Sequence, residues 1–402
     1  MKVQITKSTP CGAIVAPPSK SLAHRALICG ALSDNSKIEN LAFSKDITAT
    51  LGCLKALGAT ADICENTAKI GGLNPFEITE NVVLDCNESG STLRFLFPLC
   101  LLSGKKVTLK GAKRLFQRPL GIYEKICKEQ GILYEKTESS VTICGKLSSG
   151  NYKIPGDISS QFISGLLFTL PLLDGISILE ITGELESASY IDLTLNMLSQ
   201  CGIKITRSNN RFIIMGNQKY ASFGYTVEGD CSNAAFLDAF NYIGGKVDVK
   251  GLPETTAQGD KAYKAIMGVL GTSGREFDLS DCPDLAPVSF ALAAIKGGAR
   301  FNGTARLRLK ESDRAQAMKE ELQKFGIDIR IGDNFVVIPS AEIKAPVVPL
   351  NGHNDHRIVM ALSVLSTVTG GVIEGAEAVS KSYPEFFEVL KSLNVGVEIY
   401  ED

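Results

Sequence analysis

The common phosphate-binding signatures are missing from this 402-residue chain. It has no GxxxxGKS/T and no GxGxxG after a strand-like run, which excludes the familiar loops for ATP and dinucleotides. It has no CxxC and no Cys/His spacing of the zinc-binding kind. Histidine is scarce; of three, His353 and His356 lie three apart with no third ligand nearby, so no metal site is expected. A net charge of −2 gives no basis for non-specific nucleic-acid binding. The opening MKVQITKSTPCGAIVAPPSK lacks the charged-then-apolar order of a secretion signal. Long apolar runs are also missing. The most apolar window, Phe162 to Ile181, is broken by Pro171, Asp174 and Gly175. Its helical part of roughly 12 residues would span about 18 Å, too little for a bilayer. The eleven cysteines are an odd number. Cys29, Cys100 and Cys127 sit in helical patterns as small apolar residues, and a reducing cytoplasm is the expected compartment.

What is present is a soluble globular composition, 44% apolar and 21% charged, at a length suited to two domains. Six times a polar cluster opens an apolar stretch: SKSLAHRALICGAL, ESGSTLRFLFPLC, SSQFISGLLFTLP, GDCSNAAFLDAFNYIGG, DCPDLAPVSFALAAIKGG and NDHRIVMALSVLSTVTGG. Each is followed by a strand-like segment and an amphipathic helix closing on glycine, in LKALGA, CKEQGI, LSQCGI, MGVLGT, LQKFGI and SLNVGV. The closing residues Gly58, Gly131, Gly202, Gly271, Gly326 and Gly396 are separated by 73, 71, 69, 55 and 70 residues. A period near 70 means one α/β unit used six times. The first helix of each unit is apolar nearly all round and should be buried; the second, as in MKEELQKFG, has a polar face and should lie outside. In the third unit, Ile203 and Ile205, then Phe212 and Ile214, alternate as half-buried strands, with Asn209-Asn210 as the hairpin turn.

The fourth unit is short by about fifteen residues, with no clear second hairpin strand after REFDLS, and the sixth ends after VGVEIYED. Met1 to Val15 is strand-like and belongs to no unit. These irregularities give an α/β fold of two similar domains, each of three βαβαββ units. Residues 18–228 form one, and 1–17 with 229–402 form the other, discontinuous one.

Helix N-termini carry unpaired N–H groups and partial positive charge. Ser19, Ser89, Ser159, Asp230, Asp284 and Asn354 stand at the six starts as N-caps. Capping does not explain Lys20, Arg25, Arg94 and Arg357 in the first two turns, where the dipole opposes a cation by roughly 0.3–1 kcal/mol. An anion in front of the helix recruits both. Arg118 precedes the PLGIYEKI helix, LKESDR opens the fifth outer helix with Lys310 and Arg314 one turn apart, and Lys381 holds the same place in SKSYPEF. Against these cations stand Asp284 and Glu311. The balance fits small multiply charged ligands plus carboxylates for proton transfer.

PPSKSLAHRAL, ESGSTLRF, RPLG, SSQF, LKESDR, NDHR and SKSYPEFF, in this order over nearly the whole chain, resemble the 5-enolpyruvylshikimate-3-phosphate (EPSP) synthase family. The resemblance implies an inside-out α/β barrel in each domain, with buried parallel helices and a ligand cleft between domains. It implies transfer of the enolpyruvyl group of phosphoenolpyruvate to the 5-hydroxyl of shikimate 3-phosphate, with release of phosphate. No cofactor or metal is implied; the partners would be those two substrates, with no nucleic acid or membrane, and the enzyme would be a cytoplasmic monomer. By the same resemblance Lys20, Ser21, Arg25, Ser159, Ser160, Gln161, Ser187, Asp284 and Lys310 would meet shikimate 3-phosphate. Lys20, Gly90, Arg118, Gln161, Arg314, Arg357 and Lys381 would surround phosphoenolpyruvate. Asp284 would be the base for the 5-hydroxyl and Glu311 the group that protonates the methylene carbon, with Lys20 also catalytic.

Glu88 departs from the family pattern, where Asn is common, and Arg306 stands in place of a common Asn before LKESDR. Gly90 is kept, which implies inhibition by glyphosate in competition with phosphoenolpyruvate. The sister family acting on UDP-N-acetylglucosamine usually has a reactive cysteine before the Arg-Pro pair; KGAKRLFQR, Lys110 to Arg118, has none. A non-catalytic anion-binding protein would not need two carboxylates among its cations.

Overall fold

The computed structural model describes residues 1–271 and 275–400. Thr272 of MGVLGT and the closing Glu401 and Asp402 lie outside the described residues. The chain divides into two compact units, Pro18–Glu228 and Met1–Pro17 with Gly229–Asp402. Each has mixed α/β content.

The inner helices in Pro18–Glu228 are Lys20–Leu32, Gly90–Cys100 and Ser160–Thr169. Those in the other unit are Cys231–Asp238, Ala286–Lys296 and His356–Thr369. Their side chains are buried on every face, as their composition requires; from Leu93 to Cys100 no residue is more than slightly exposed. The outer helices keep one wet face. In Arg314–Lys324 the buried set is Arg314, Ala315, Ala317, Met318, Glu321 and Leu322. Cys29, Cys100 and Cys127 are fully buried, and all eleven cysteines are free thiols.

Strands form separate small sheets rather than a closed barrel: five of four strands and one of two among the described residues. A full repeat pairs the strand before its inner helix in parallel with the strand after it, then adds the hairpin antiparallel. Val82–Asp85, Val107–Lys110, Ser140–Cys144 and Leu133–Lys136 show the order. In the third repeat the hairpin closes Ser208 against Arg211 around Asn209, which is left-handed at φ 51°.

Two strands exchange places at the crossings between units. Cys11–Val15 precedes the first inner helix in sequence but pairs in parallel with Lys246–Lys250 of the fourth repeat. Gly224–Thr226 precedes the fourth inner helix but pairs with Ser36–Glu39 of the first. Lys2–Ile5 fills the sixth repeat's sheet, between Gly371–Glu374 and Val397–Tyr400. That repeat therefore needs no second hairpin strand of its own.

Five of the closing glycines, Gly58, Gly131, Gly202, Gly271 and Gly326, are left-handed after the outer helix, as a C-terminal stop requires. Gly396 is not. In the sixth repeat Asn394, at φ 62°, takes the position. Asparagine tolerates this conformation through its short polar side chain, so the repeat's stop is SLN and the last step is 68 rather than 70 residues.

Candidate active site

In the unit Pro18–Glu228 the polar groups gather at the starts of its inner helices. Ser89 accepts from Thr92 N at 3.2 Å and Ser159 from Gln161 N at 3.3 Å, so both are caps. Ser19 occupies the cap position without making the bond. Ser187 precedes the outer helix Ala188–Gln200 in left-handed conformation, φ 56°.

The cations here are held by the fold. Lys20 Nζ lies 2.7 Å from Asp46, a partner on the outer helix Lys45–Ala56 that the sequence reading missed. Arg25 donates to Ser21 O at 2.7 Å, Tyr190 O at 2.8 Å and Thr194 Oγ1 at 2.8 Å, with its guanidinium over the Phe95 ring. Burial pulls its pKa down to about 10. Arg94 donates to Gln161 Oε1 at 2.9 Å and to Pro119 O at 3.1 Å, while Gln161 Nε2 donates to Ser91 Oγ at 3.0 Å. The Arg94 backbone is fixed in turn: Tyr123 Oη donates to its carbonyl at 2.6 Å. Gly165 lets that crossing close, because a Cβ there would lie 2.3 Å from the same oxygen. Gly90 sits between two guanidinium tips. A Cβ at Gly90 would lie 2.7 Å from Arg118 NH1 and 2.8 Å from Arg94 NH1.

Behind this surface runs a buried relay. His24 Nδ1 is 2.8 Å from Thr50 Oγ1, which is 2.6 Å from Thr92 Oγ1, and Thr92 Oγ1 donates to Ser89 Oγ at 2.6 Å. That last donation makes Thr92 accept from Thr50 and Thr50 accept from an Nδ1–H tautomer. Burial, then Lys20 and Arg25, holds His24 well below the ordinary imidazole pKa, so the ring is neutral. The unfolded chain takes up a proton near pH 6.5 that the folded chain refuses. The stability His24 permits is therefore complete above that pH and falls below it, by about 1.4 kcal/mol per pH unit. Unfolding free energies at pH 7.5 and 5.5 should fall more in the wild type than in His24→Gln. Equal losses would contradict the neutral-relay assignment.

The second cluster lies within the other unit and centres on Asp284. Its Oδ1 is 2.8 Å from Arg314 NH1 and 3.3 Å from Lys310 Nζ, and its Oδ2 is 2.9 Å from Arg357 NH2. Arg314 also reaches Glu311 Oε2 at 2.8 Å and Asp355 Oδ2 at 2.9 Å. Burial alone would raise the Asp284 pKa; Arg357, Lys310 and Arg314 together outweigh it and hold the carboxyl well below the usual range. Lys310 is pulled down by its burial, against the pull of Asp284. Lys381 donates to Asn354 O at 2.5 Å.

Several sequence expectations need correction. Asp284 is not a helix cap: it lies in the 3₁₀ turn Pro283–Leu285, ahead of Ala286–Lys296, and its carboxylate is taken by cations. Asn354 is not one either. Asp355 caps His356–Thr369, accepting from Arg357 N at 2.9 Å, while Asn354 is left-handed at φ 49°. LKESDR does not open a helix; Lys310 is extended after a 3₁₀ turn, Asp313 is the cap, and the helix starts at Arg314. Lys310 and Arg314 meet at Asp284 through that extended segment, not through helical spacing. Arg357 NH2 also donates to Ser232 Oγ of the fourth repeat's inner helix at 2.9 Å. Arg306 NH2 donates to the Ser280 carbonyl at 2.5 Å, and its charge adds to burial in lowering the Lys310 pKa. Asp46 and Asp355 were missed because short polar residues at helix starts read as ordinary caps and dipole partners.

Buried cations gathered at and near the starts of the inner helices mark this as a two-unit α/β protein with one cationic cluster in each unit. Comparison with known proteins makes this specific. The family model for EPSP synthase (3-phosphoshikimate 1-carboxyvinyltransferase) matches residues 5–390. Proteins named 3-phosphoshikimate 1-carboxyvinyltransferase are similar throughout. The one from Clostridium kluyveri is 43% identical, covering 97% of this chain and 96% of its own. One from Clostridium perfringens is 42% identical, covering 98% of each. Two structures of EPSP synthase from Acinetobacter baumannii share the fold, with TM-scores of 0.80 and 0.81 at 22% and 21% identity, covering 99% and 100% of this chain and 100% of each of theirs. The chain belongs to the EPSP synthase family.

Proposed function

We propose that residues of both clusters take part in the family's reaction. The enzyme is an enolpyruvyl transferase of the shikimate route to chorismate, joining phosphoenolpyruvate to shikimate 3-phosphate. Lys20, Ser21, Arg25, Ser159, Ser160, Gln161 and Ser187 bind shikimate 3-phosphate, with Asp284 and Lys310 at its ring. Lys20, Gly90, Arg118, Gln161, Arg314, Arg357 and Lys381 hold phosphoenolpyruvate. The observation that carries this reading is Asp284, a carboxylate held by three cations that an anionic substrate can claim.

Glu311 gives a proton to the methylene carbon of phosphoenolpyruvate, which leaves positive character at the adjacent carbon. The 5-hydroxyl oxygen bonds there and its proton passes to Asp284. The tetrahedral adduct then loses phosphate, which takes the proton held by Asp284. Glu311, left as a carboxylate by the first step, takes one methyl proton and the double bond is restored. A carboxylate so far below neutrality is a weak base. As Arg314 and Arg357 turn to the substrate, Asp284 loses counter-charge and gains basicity. Lys20 and the arginines stabilise the leaving phosphate. We place the protein in the cytoplasm as a monomer, the free thiols at exposed Cys11 and Cys64 supporting a reducing compartment.

Phosphate release tests the reading. It should require phosphoenolpyruvate with shikimate 3-phosphate; release with UDP-N-acetylglucosamine instead would assign the sister reaction. Gly90→Ala tests the pocket. The added Cβ pushes on flexible guanidinium tips, so the fold should survive while KM for phosphoenolpyruvate rises about tenfold, or about 1.4 kcal/mol. Glyphosate should compete with phosphoenolpyruvate in the wild type and lose potency in the variant. An unchanged KM would show that Gly90 and Arg118 do not face that substrate.

A further inference from the structure

Glu321 lies seven residues beyond Arg314 on the outer helix Arg314–Lys324, two turns along the same buried face. It is 1% exposed. A carboxylate this deep is costly unless its oxygens are satisfied, and four hydrogen bonds satisfy them. Lys324 Nζ is 2.9 Å from each oxygen, Asn351 N donates to Oε2 at 2.9 Å, and His353 Nε2 is 2.9 Å from Oε1. A helix needing only solubility would place this glutamate outward. Here it grips a loop of the next repeat.

That loop, Asn351 to Asp355, delivers the sixth inner helix. His353 and Asn354 are both left-handed, at φ 49° each, a conformation that side-chain-bearing residues rarely adopt twice running. Such a pair persists only where its surroundings hold it. Asn351 Oδ1 accepts from His353 N at 2.7 Å, Glu321 takes the His353 ring, and Lys381 takes the Asn354 carbonyl. At its far end, Asp355 is held by Arg314 Nε at 2.9 Å and Ser312 Oγ at 3.0 Å. One helix thus clamps the loop at both ends. Asp355 then caps the helix at Arg357 N, whose guanidinium meets Asp284.

We infer that Glu321 is a positioning residue for phosphoenolpyruvate binding, acting through Asn351 and His353 to place Arg357 and Lys381. The inference rests on the assignment of those two cations to phosphoenolpyruvate. Glu321 itself touches no reacting group. A merely structural glutamate would, on removal, weaken the enzyme toward both substrates or only lower its melting temperature.

The full chain should be compared with Glu321→Ala, Glu321→Gln, His353→Ala and Arg357→Gln, measuring KM for phosphoenolpyruvate, binding of shikimate 3-phosphate alone, and melting. Glu321→Ala should raise KM about tenfold while shikimate 3-phosphate affinity stays within about twofold. Glu321→Gln keeps an acceptor for Asn351 N and should recover to within about threefold of wild type; His353→Ala should raise KM by about threefold. A folded Glu321→Ala with unchanged KM, parallel loss of both substrates, or no recovery in Glu321→Gln would overturn the inference. If Glu321→Ala does not fold, a folded His353→Ala with unchanged KM overturns it. Arg357→Gln separates the two levels. If it raises KM while the Glu321 and His353 variants do not, only the positioning role fails; if it too is inert, the assignment of phosphoenolpyruvate to these cations fails.

Discussion

Replacing Asp284 with Ala should lower kcat by about 10²–10⁴ while shikimate 3-phosphate still binds. The carboxylate accepts from Arg314, Lys310 and Arg357 within 3.3 Å. Its removal takes away the proposed proton acceptor and leaves three buried or half-buried cations without their common counter-ion. Those cations remain able to take an anion, so ground-state binding of phosphoenolpyruvate should hold or tighten as turnover collapses. That divergence separates a base from a binding residue. A fall in kcat/KM that came entirely through KM would instead make Asp284 a ligand for substrate.

Arg314→Met should produce the largest loss of stability. Arg314 is 1% exposed and bridges Asp284, Glu311 and Asp355, the last fully buried. Methionine matches its bulk but leaves those carboxylates facing one another. Breaking a buried network this way costs about 3–5 kcal/mol, and roughly 10 °C in the melting temperature of a domain this size. Burial pushes the Asp355 pKa up, and Arg314 more than reverses it, so the folded value is depressed. The stability this pairing supplies is present above the unfolded carboxyl pKa of about 3.9 and is lost as pH falls through the folded value. The gap between wild type and variant should accordingly be full at pH 7 and narrow below about pH 4. A constant gap would mean that packing, not charge, is what Arg314 supplies. Arg314→Lys should fall between the two, because a single ammonium cannot span three carboxylates.

The α/β class and six pairs of inner and outer helices were legible because burial on all faces and on one face leave different compositions. The fourth repeat, however, has no hairpin among the described residues, since Glu276–Asp278 of REFDLS pairs with Ala299–Asn302 of the fifth. The cations at helix starts were legible because they oppose the dipole. Their partners were not. Lys20 pairs with Asp46 and Arg314 with Asp355, 26 and 41 residues apart, distances at which no local pattern operates. Asp284 looked like a cap because Asp before an apolar run usually is one; only the fold shows Arg357 arriving from another repeat. The exchanged strands Cys11–Val15 and Gly224–Thr226 are invisible in sequence, since each lies next to the inner helix it does not serve. Gly396 resembles the sixth stop because glycine is the commoner helix terminator, yet the left-handed residue there is Asn394.

If Glu311 delivers a proton to the methylene carbon before phosphate leaves, the reaction run in D₂O will show it. The intermediate methyl group then carries one deuterium, so deuterium is expected in the methylene group of the product. Glu311→Gln should suppress deuterium incorporation and phosphate release together. Product formed in D₂O with an unlabelled methylene group would contradict that proton delivery.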